Sequence, residues 1–255
     1  MNILVCVKRV PDTGAKLRLT EDKRSVDTRR LGFTISPHEE CAVEEAVRIV
    51  VREGGEGVVL TLGPPEAEEQ LRDSLARGMD RAILLETDGE EWDPQRTAAA
   101  IEAAIRREAD TGQSFDLVMF GSEAADSGDY QVGIRVAYAL DWPCVTGVKH
   151  IVVHEGLVEV RRENAAGWEI FELPLPAVLT TKEGLNLPRH PSLRGTMTAK
   201  KKPLDRHTPQ QDPGGLRMVR LTHPPDQGKD VEILGEGTVA APKVVELLKQ
   251  LELLG

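Results

Sequence analysis

The segment GSEAADSGDYQVG, Gly121 to Gly133, gathers the residues best suited to hold a ligand. Its glycines and small side chains allow close approach to the backbone, and a helix predicted from Tyr130 to Leu140 turns a positive N-terminus toward whatever binds there. The segment is also acidic, through Glu123, Asp126 and Asp129. That charge disfavours a bulky polyanion and suits a ribose or a single phosphate held by backbone amides. Taken alone, the same residues fit a plain connection with an N-capping aspartate equally well.

A second stretch with chemical character runs from Leu185 to Pro203, LNLPRHPSLRGTMTAKKKP. Pro188 and Pro191 stand too close together for one helix or central strand to include both, so the stretch is predicted to be a loop. From Lys182 to Arg206 it carries seven basic residues against two acids, in a chain of formal net charge -10. Leu193 lies in its middle, next to Arg194 and ahead of Lys200, Lys201 and Lys202. Charge that steers an approach and a leucine that fills a partner's pocket would make a docking device. A solvated linker whose leucine folds back on the core is the alternative.

Other chemistry finds little support. There is no G-x-G-x-x-G after a strand, no G-x-x-x-x-G-K-[ST], no G-x-S-x-G and no C-x-x-C. His150 and His154 fall in a predicted strand, about 14 Å apart by strand rise, too far to share a metal. Cys6, Cys41 and Cys144 are odd in number and widely spaced, which points to a reducing compartment without a metal cluster. The acidic balance, 42 acids against 32 bases, argues against nucleic acid. No apolar run approaches bilayer-spanning length, and MNILVCVKRV begins as a strand rather than a secretory signal, so neither membrane insertion nor export is expected.

The elements that must position these residues alternate. Asn2–Val7, Gly57–Leu62, Ala82–Leu85 and Phe115–Phe120 are short apolar runs of the kind that strands buried on both faces show. Between them Ser36-Pro37 and Asp93-Pro94 open helices, and Glu66–Ala76 forms a further one. The pattern predicts an open, mainly parallel sheet with helices on both faces. In such a sheet ligands bind beyond the carboxyl ends of the strands, here the turns after Val7, Leu62 and Phe120. Pro11 is expected to break any ladder after the first strand. From Val148 a β-hairpin follows, then a strand over Ile170–Thr180 interrupted by Pro174 and Pro176. Residues 203–255 read as an extended arm ending in an amphipathic helix from Pro242, with Val244, Leu247, Leu248, Leu251 and Leu254 in one stripe that would pack on its own domain, which sequence alone favours, or on another chain. The nucleotide-binding domain is therefore placed at 1–202 and the arm at 203–255.

Several motifs in this order resemble the β subunit of electron-transfer flavoprotein: VKRVPDT (Val7 to Thr13), SPHEECAVEEAV (Ser36 to Val47), GMDRAILL (Gly78 to Leu85), FDLVMFGSEAADSGDYQVG, DWPCVT (Asp141 to Thr146), LNLPRHPSL and TAKKKP. The resemblance covers nearly the whole chain. It implies an adenine-nucleotide α-hydrolase-like fold and a heterodimer with an α subunit that holds FAD. It further implies a carrier without a catalytic site of its own, which takes electrons from acyl-CoA and related dehydrogenases, as in fatty acid β-oxidation, and passes them to a membrane quinone oxidoreductase. The C-terminal arm would pack on the α subunit. AMP would lie against Cys6, Ser36, Pro37, His38, Glu39 and Leu62, and along Gly121, Ser122, Glu123, Ala124, Ala125, Asp126, Ser127, Gly128, Asp129, Tyr130, Gln131 and Val132. Thr13 and His38 would lie near the flavin, and Leu193, Arg194 and Lys200 to Lys202 would dock the dehydrogenase. Cytoplasm, or mitochondrial matrix in a eukaryote, is the compartment implied. Electron-bifurcating relatives, with a second FAD and NADH as donor, commonly show D-G-D-T-A-Q-V-G where this chain has DSGDYQVG. The added carboxylate of Asp129 favours AMP over a diphosphate there. A stand-alone nucleotide-binding module is the other alternative, and it would leave the basic proline-rich stretch and the arm unexplained.

Overall fold

Apolar runs that end at helix start signals fold here into a single wide sheet. The computed structural model describes residues 1–12, 14, 17–210, 214–225 and 233–254. In chain order its first compact unit, Met1–Arg220, holds β1 (Ile3–Cys6), a short antiparallel pair β2 (Val10–Pro11) and β3 (Phe33–Thr34), α1 (Pro37–Glu53), β4 (Gly57–Gly63), α2 (Glu68–Arg77), β5 (Arg81–Glu86), α3 (Pro94–Asp110), β6 (Leu117–Gly121) and α4 (Val132–Leu140). It continues with β7 (Cys144–His154), β8 (Leu157–Asn164), β9 (Gly167–Pro174), β10 (Ala177–Thr181), α5 (Leu193–Ala199) and β11 (Leu204–His207). The second unit, Leu221–Gly255, contains α6 (Ala241–Gln250).

The main sheet runs β11-β5-β4-β1-β6-β10-β7-β8-β9. It is parallel from β11 to β7, and β8 and β9 extend it as antiparallel strands. β1 lies at its centre, with Cys6 in register with Leu60 of β4 on one side and Phe120 of β6 on the other. After β1 the chain winds through α1 to β4 and β5, and only then crosses to β6. The strand order therefore reverses between β1 and β6, and their carboxyl ends open a crevice.

Alternate residues of each strand feed two separate cores, as the period of a strand requires. Ile3, Val5, Val59, Leu117, Met119 and Leu179 pack under α1 and α2, against Ala42, Val43, Ala46, Leu71 and Leu75. Leu4, Cys6, Val58, Leu60, Val118 and Phe120 face the other way, toward Ala98, Ile101, Ala104 and Ile105 of α3 and Val136 of α4. Helices on both faces explain why these strands are apolar at nearly every position, the buried Thr61, Thr180 and Thr181 apart.

Four local expectations are corrected. The stretch from Leu185 to Pro203 is not all loop, because Leu193–Ala199 forms α5. Its prolines flank that helix instead of interrupting it, and the Ser192 hydroxyl accepts the Gly195 N–H as N-cap (3.0 Å). Leu204–His207, at the start of the expected arm, is an edge strand in register with Ala82–Leu85. The segment from Ile170 to Thr180 divides at a cis Leu175-Pro176 bond into β9 and β10. Pro11 does take part in a ladder, but one only two residues long, opposite Phe33. The apolar stripe of α6 is present and exposed, with Val244, Leu247, Leu251 and Leu254 each at 40% or more.

Candidate functional site

The crevice is assembled around the start of α1. Glu39, one turn into that helix, reaches back so that one carboxylate oxygen accepts the Ser36 N–H (2.9 Å) and the other the Lys8 N–H beyond β1 (3.0 Å). The carboxyl thus ties the end of the central strand to the helix N-terminus. It is buried, and burial pushes it up to about 8 although the two amide donors favour the charged form. Gly121, at the end of β6, lies directly over this knot. A Cβ there would stand 2.8 Å from Glu39 Cγ and 3.2 Å from His38 Cβ, which is why the position is glycine.

Neighbouring side chains lock the same corner. Ser36 is fully buried and its hydroxyl donates to the Glu123 carbonyl (3.1 Å). The His38 Nδ1 accepts the Glu183 N–H (2.7 Å), so the ring proton lies on Nε2, 3.3 Å from a Glu123 carboxylate oxygen. The Tyr130 hydroxyl and His38 together hold the Glu123 carboxyl below its usual range. From β10, the Thr181 hydroxyl donates to the His38 carbonyl at 2.9 Å.

The loop after β6 turns back on itself through two left-handed residues, Gly128 (φ 61) and Tyr130 (φ 55). The Gly128 N–H closes it on the Ala124 carbonyl (3.0 Å). α4 begins at Val132, and Gln131 gives it no side-chain cap. The amides of its first turn, from Val132, Gly133 and Ile134, have no intrahelical acceptor, and the positive end of the helix dipole lies at the end of the loop that follows β6. Ala125, Asp126, Ser127 and Asp129 line the exposed side of the loop. Backbone donors at the switch point, ringed by carboxylates, suit one phosphate better than a bridged pair.

Most residues predicted for this site come together: Ser36, His38, Glu39, Gly121, Ser122, Glu123 and the loop as far as Val132. Pro37 is exposed at the first position of α1. Leu62, at the end of β4, is partly buried against the α3 and α4 core, and Cys6 is buried within that core. Burial, and then the charge of Glu39, raise the Cys6 thiol well above its usual range. Thr13 lies outside the described residues. Sequence reasoning missed Lys8, Glu91, Thr181 and Glu183. Lys8 could have been found, since it follows a strand end that was itself located. Thr181 and Glu183 could not, because only the tertiary fold brings β10 beside α1.

The second site is built by α2 holding α5. The Arg72 guanidinium donates to the carbonyls of Ala199 (2.7 Å) and Lys202 (2.8 Å), capping the last turn of α5 with positive charge. The Lys202 ammonium donates to the carbonyls of Leu75 (3.1 Å) and Met79 (2.5 Å), so it is turned into the domain and away from any partner. Arg189 grips the buried Glu44 carboxylate at 2.7 and 3.0 Å. With both flanks held, Leu193 and Met197, one turn apart, stand 89% and 73% exposed, beside exposed Arg194, Lys200 and Lys201.

Among the described residues no group of histidine, cysteine, aspartate and glutamate is arranged to hold a metal ion, and no helix is long and apolar enough to cross a membrane. A family model described as the electron transfer flavoprotein domain matches residues 24–212. The chain is 33% identical over 258 residues to the electron transfer flavoprotein subunit beta of Bacillus subtilis (strain 168), covering 98% of each. It is 33% identical over 252 residues to the subunit of that name in Syntrophomonas wolfei, covering 98% of this chain and 96% of the relative. A mitochondrial subunit beta from Oryza sativa subsp. indica is 36% identical over 233 residues, covering 88% of this chain and 90% of the relative.

Proposed function

The chain belongs to the electron transfer flavoprotein family as a β subunit, and from that premise we propose that it seats AMP in its crevice, pairs with an α subunit that holds most of an FAD, and presents that flavin to acyl-CoA dehydrogenases. Electron transfer is the family's function. When bound, FAD supplies the redox chemistry, and this chain's residues hold, cover and present it.

The observation that carries the nucleotide assignment is the uncapped first turn of α4 at the reversal between β1 and β6. Its amides would take the phosphate of AMP, and Gly121 and Gly128 would let the nucleotide approach the backbone. Ser36, His38 and Glu39 are tied into the corner by hydrogen bonds to fixed groups, so they would form a rigid wall. His38, with both ring nitrogens engaged, would orient its edge toward the flavin side. Cys6 and Leu62 would support the base from beneath. In this reading the chain acts as a carrier subunit without catalysis of its own.

Taken separately, the exposed Trp168 and Ile170 of β9 in the first unit and the exposed stripe of α6 in the second each support an α subunit as partner. Leu193, Arg194, Lys200 and Lys201 would meet the dehydrogenase, and a quinone oxidoreductase would take the electrons onward. The compartment proposed is the cytoplasm, or the mitochondrial matrix in a eukaryote. The test is expression of this chain alone and with its α subunit. Stoichiometric yellow flavin is expected only in the co-purified pair. Tight flavin on the isolated chain would overturn the shared-FAD heterodimer.

A further inference from the structure

Lys8 follows β1 directly, and its backbone is fixed by the bond to Glu39. Its ammonium lies 2.5 Å from Glu91, in the connection between β5 and α3, and 2.8 Å from Asp126, in the loop before α4. Three connections at the carboxyl edge of the sheet therefore meet at one positive charge. Around it the crevice is acidic: Glu123 and Asp129 lie on the same loop as Asp126, and His38 donates to Glu123 without needing a charge. Of the nearby cations, Lys182 acts on Glu123, and Arg135 of α4 is turned onto the Gln131 side chain at 3.0 Å. Without Lys8, an anion approaching the first turn of α4 would face Asp126 and Glu91 unneutralised.

We propose that Lys8 is the counter-charge of the crevice, a specificity-determining residue that neutralises Asp126 and Glu91 and so admits a singly phosphorylated nucleotide to the N-terminus of α4. The inference rests on the nucleotide reading above. In this role Lys8 need not touch the phosphate, since its ammonium is already engaged by two carboxylates. It sets the local field, and the backbone amides supply the contacts. Burial alone would lower the Lys8 ammonium, but Glu91 and Asp126 outweigh it and hold the group charged.

The experiment is calorimetric binding of AMP and of adenosine to the heterodimer dialysed free of nucleotide, with the parent, Lys8→Met, and Lys8→Met combined with Asp126→Asn. Lys8→Met should weaken AMP about tenfold and adenosine by less than about twofold, and the loss should shrink in high salt. The double variant should regain most of the AMP affinity, because removing one carboxylate replaces the neutralisation. Unchanged AMP binding in Lys8→Met overturns the inference. An AMP loss that Asp126→Asn does not restore also overturns it, since Lys8 would then be a direct phosphate ligand. Equal losses for AMP and adenosine would make Lys8 merely structural and overturn it too. A parent that binds no adenine nucleotide would instead overturn the functional reading, and this inference with it.

Discussion

Gly195 of α5 lies so close to Ala76 of α2 that a Cβ at Gly195 would stand 2.3 Å from the Ala76 carbonyl oxygen. The obstructing atom is backbone, so it cannot rotate away, and Gly195→Ala must push α5 off α2. We expect a stability loss of about 1–3 kcal/mol, typical of overpacking. We also expect a marked fall in electron transfer from a reduced dehydrogenase, with nucleotide content unchanged. Thermal unfolding and single-turnover reduction of the flavin check it. A variant that matches the parent in both would mean that α5 is not held by this contact.

Leu193 makes the complementary prediction. It is 89% exposed, so Leu193→Ala should leave folding, AMP and FAD content as they are. If it anchors the dehydrogenase, its loss should weaken docking by roughly 2 kcal/mol, a typical hot-spot value, which is about thirtyfold in affinity. The rate of flavin reduction at subsaturating dehydrogenase reads this directly. Parent-like turnover there would remove Leu193 from the docking surface.

Two buried carboxyls should give opposite pH slopes of stability. Glu39 titrates near 8 in the fold, above its ordinary 4.5. Between those values the native state keeps a proton that the unfolded chain has lost, so its contribution is full below 4.5 and is lost as pH rises through 8. Burial alone would raise Glu44 as well, but Arg189 and Arg48 outweigh it and hold that carboxyl below its usual range. Its contribution is present above 4.5 and lost as pH falls below it. Urea midpoints of the ligand-free protein should therefore decline from pH 6 toward 8.5, and decline less in Glu39→Gln. Identical slopes in parent and variant would show that Glu39 is ionised throughout.

What the sequence revealed follows from what is local in it. The buried strands were legible because they are apolar at nearly every position, and the starts of α1 and α3 because Ser36-Pro37 and Asp93-Pro94 are strong cap signals. From strand ends alone the crevice could be placed after β1, β4 and β6. The wall contributed by Thr181 and Glu183 was not legible, since β10 enters the sheet beside β6 only after the β7–β9 excursion. α5 was hidden because two prolines dominate its approach and only the cap at Ser192 marks its start. β11 was hidden because an edge strand of Leu, Asp, Arg and His carries no apolar pattern, and its place depends on β5.

The central claim is that the crevice between β1 and β6 holds one AMP while a single flavin is shared with the α subunit. The most direct measurement is heat denaturation of the purified heterodimer followed by chromatographic quantification of every nucleotide released. Equal amounts of AMP and FAD, one of each per heterodimer, are the predicted result. Two FAD and no AMP would contradict it and place a second flavin in the crevice.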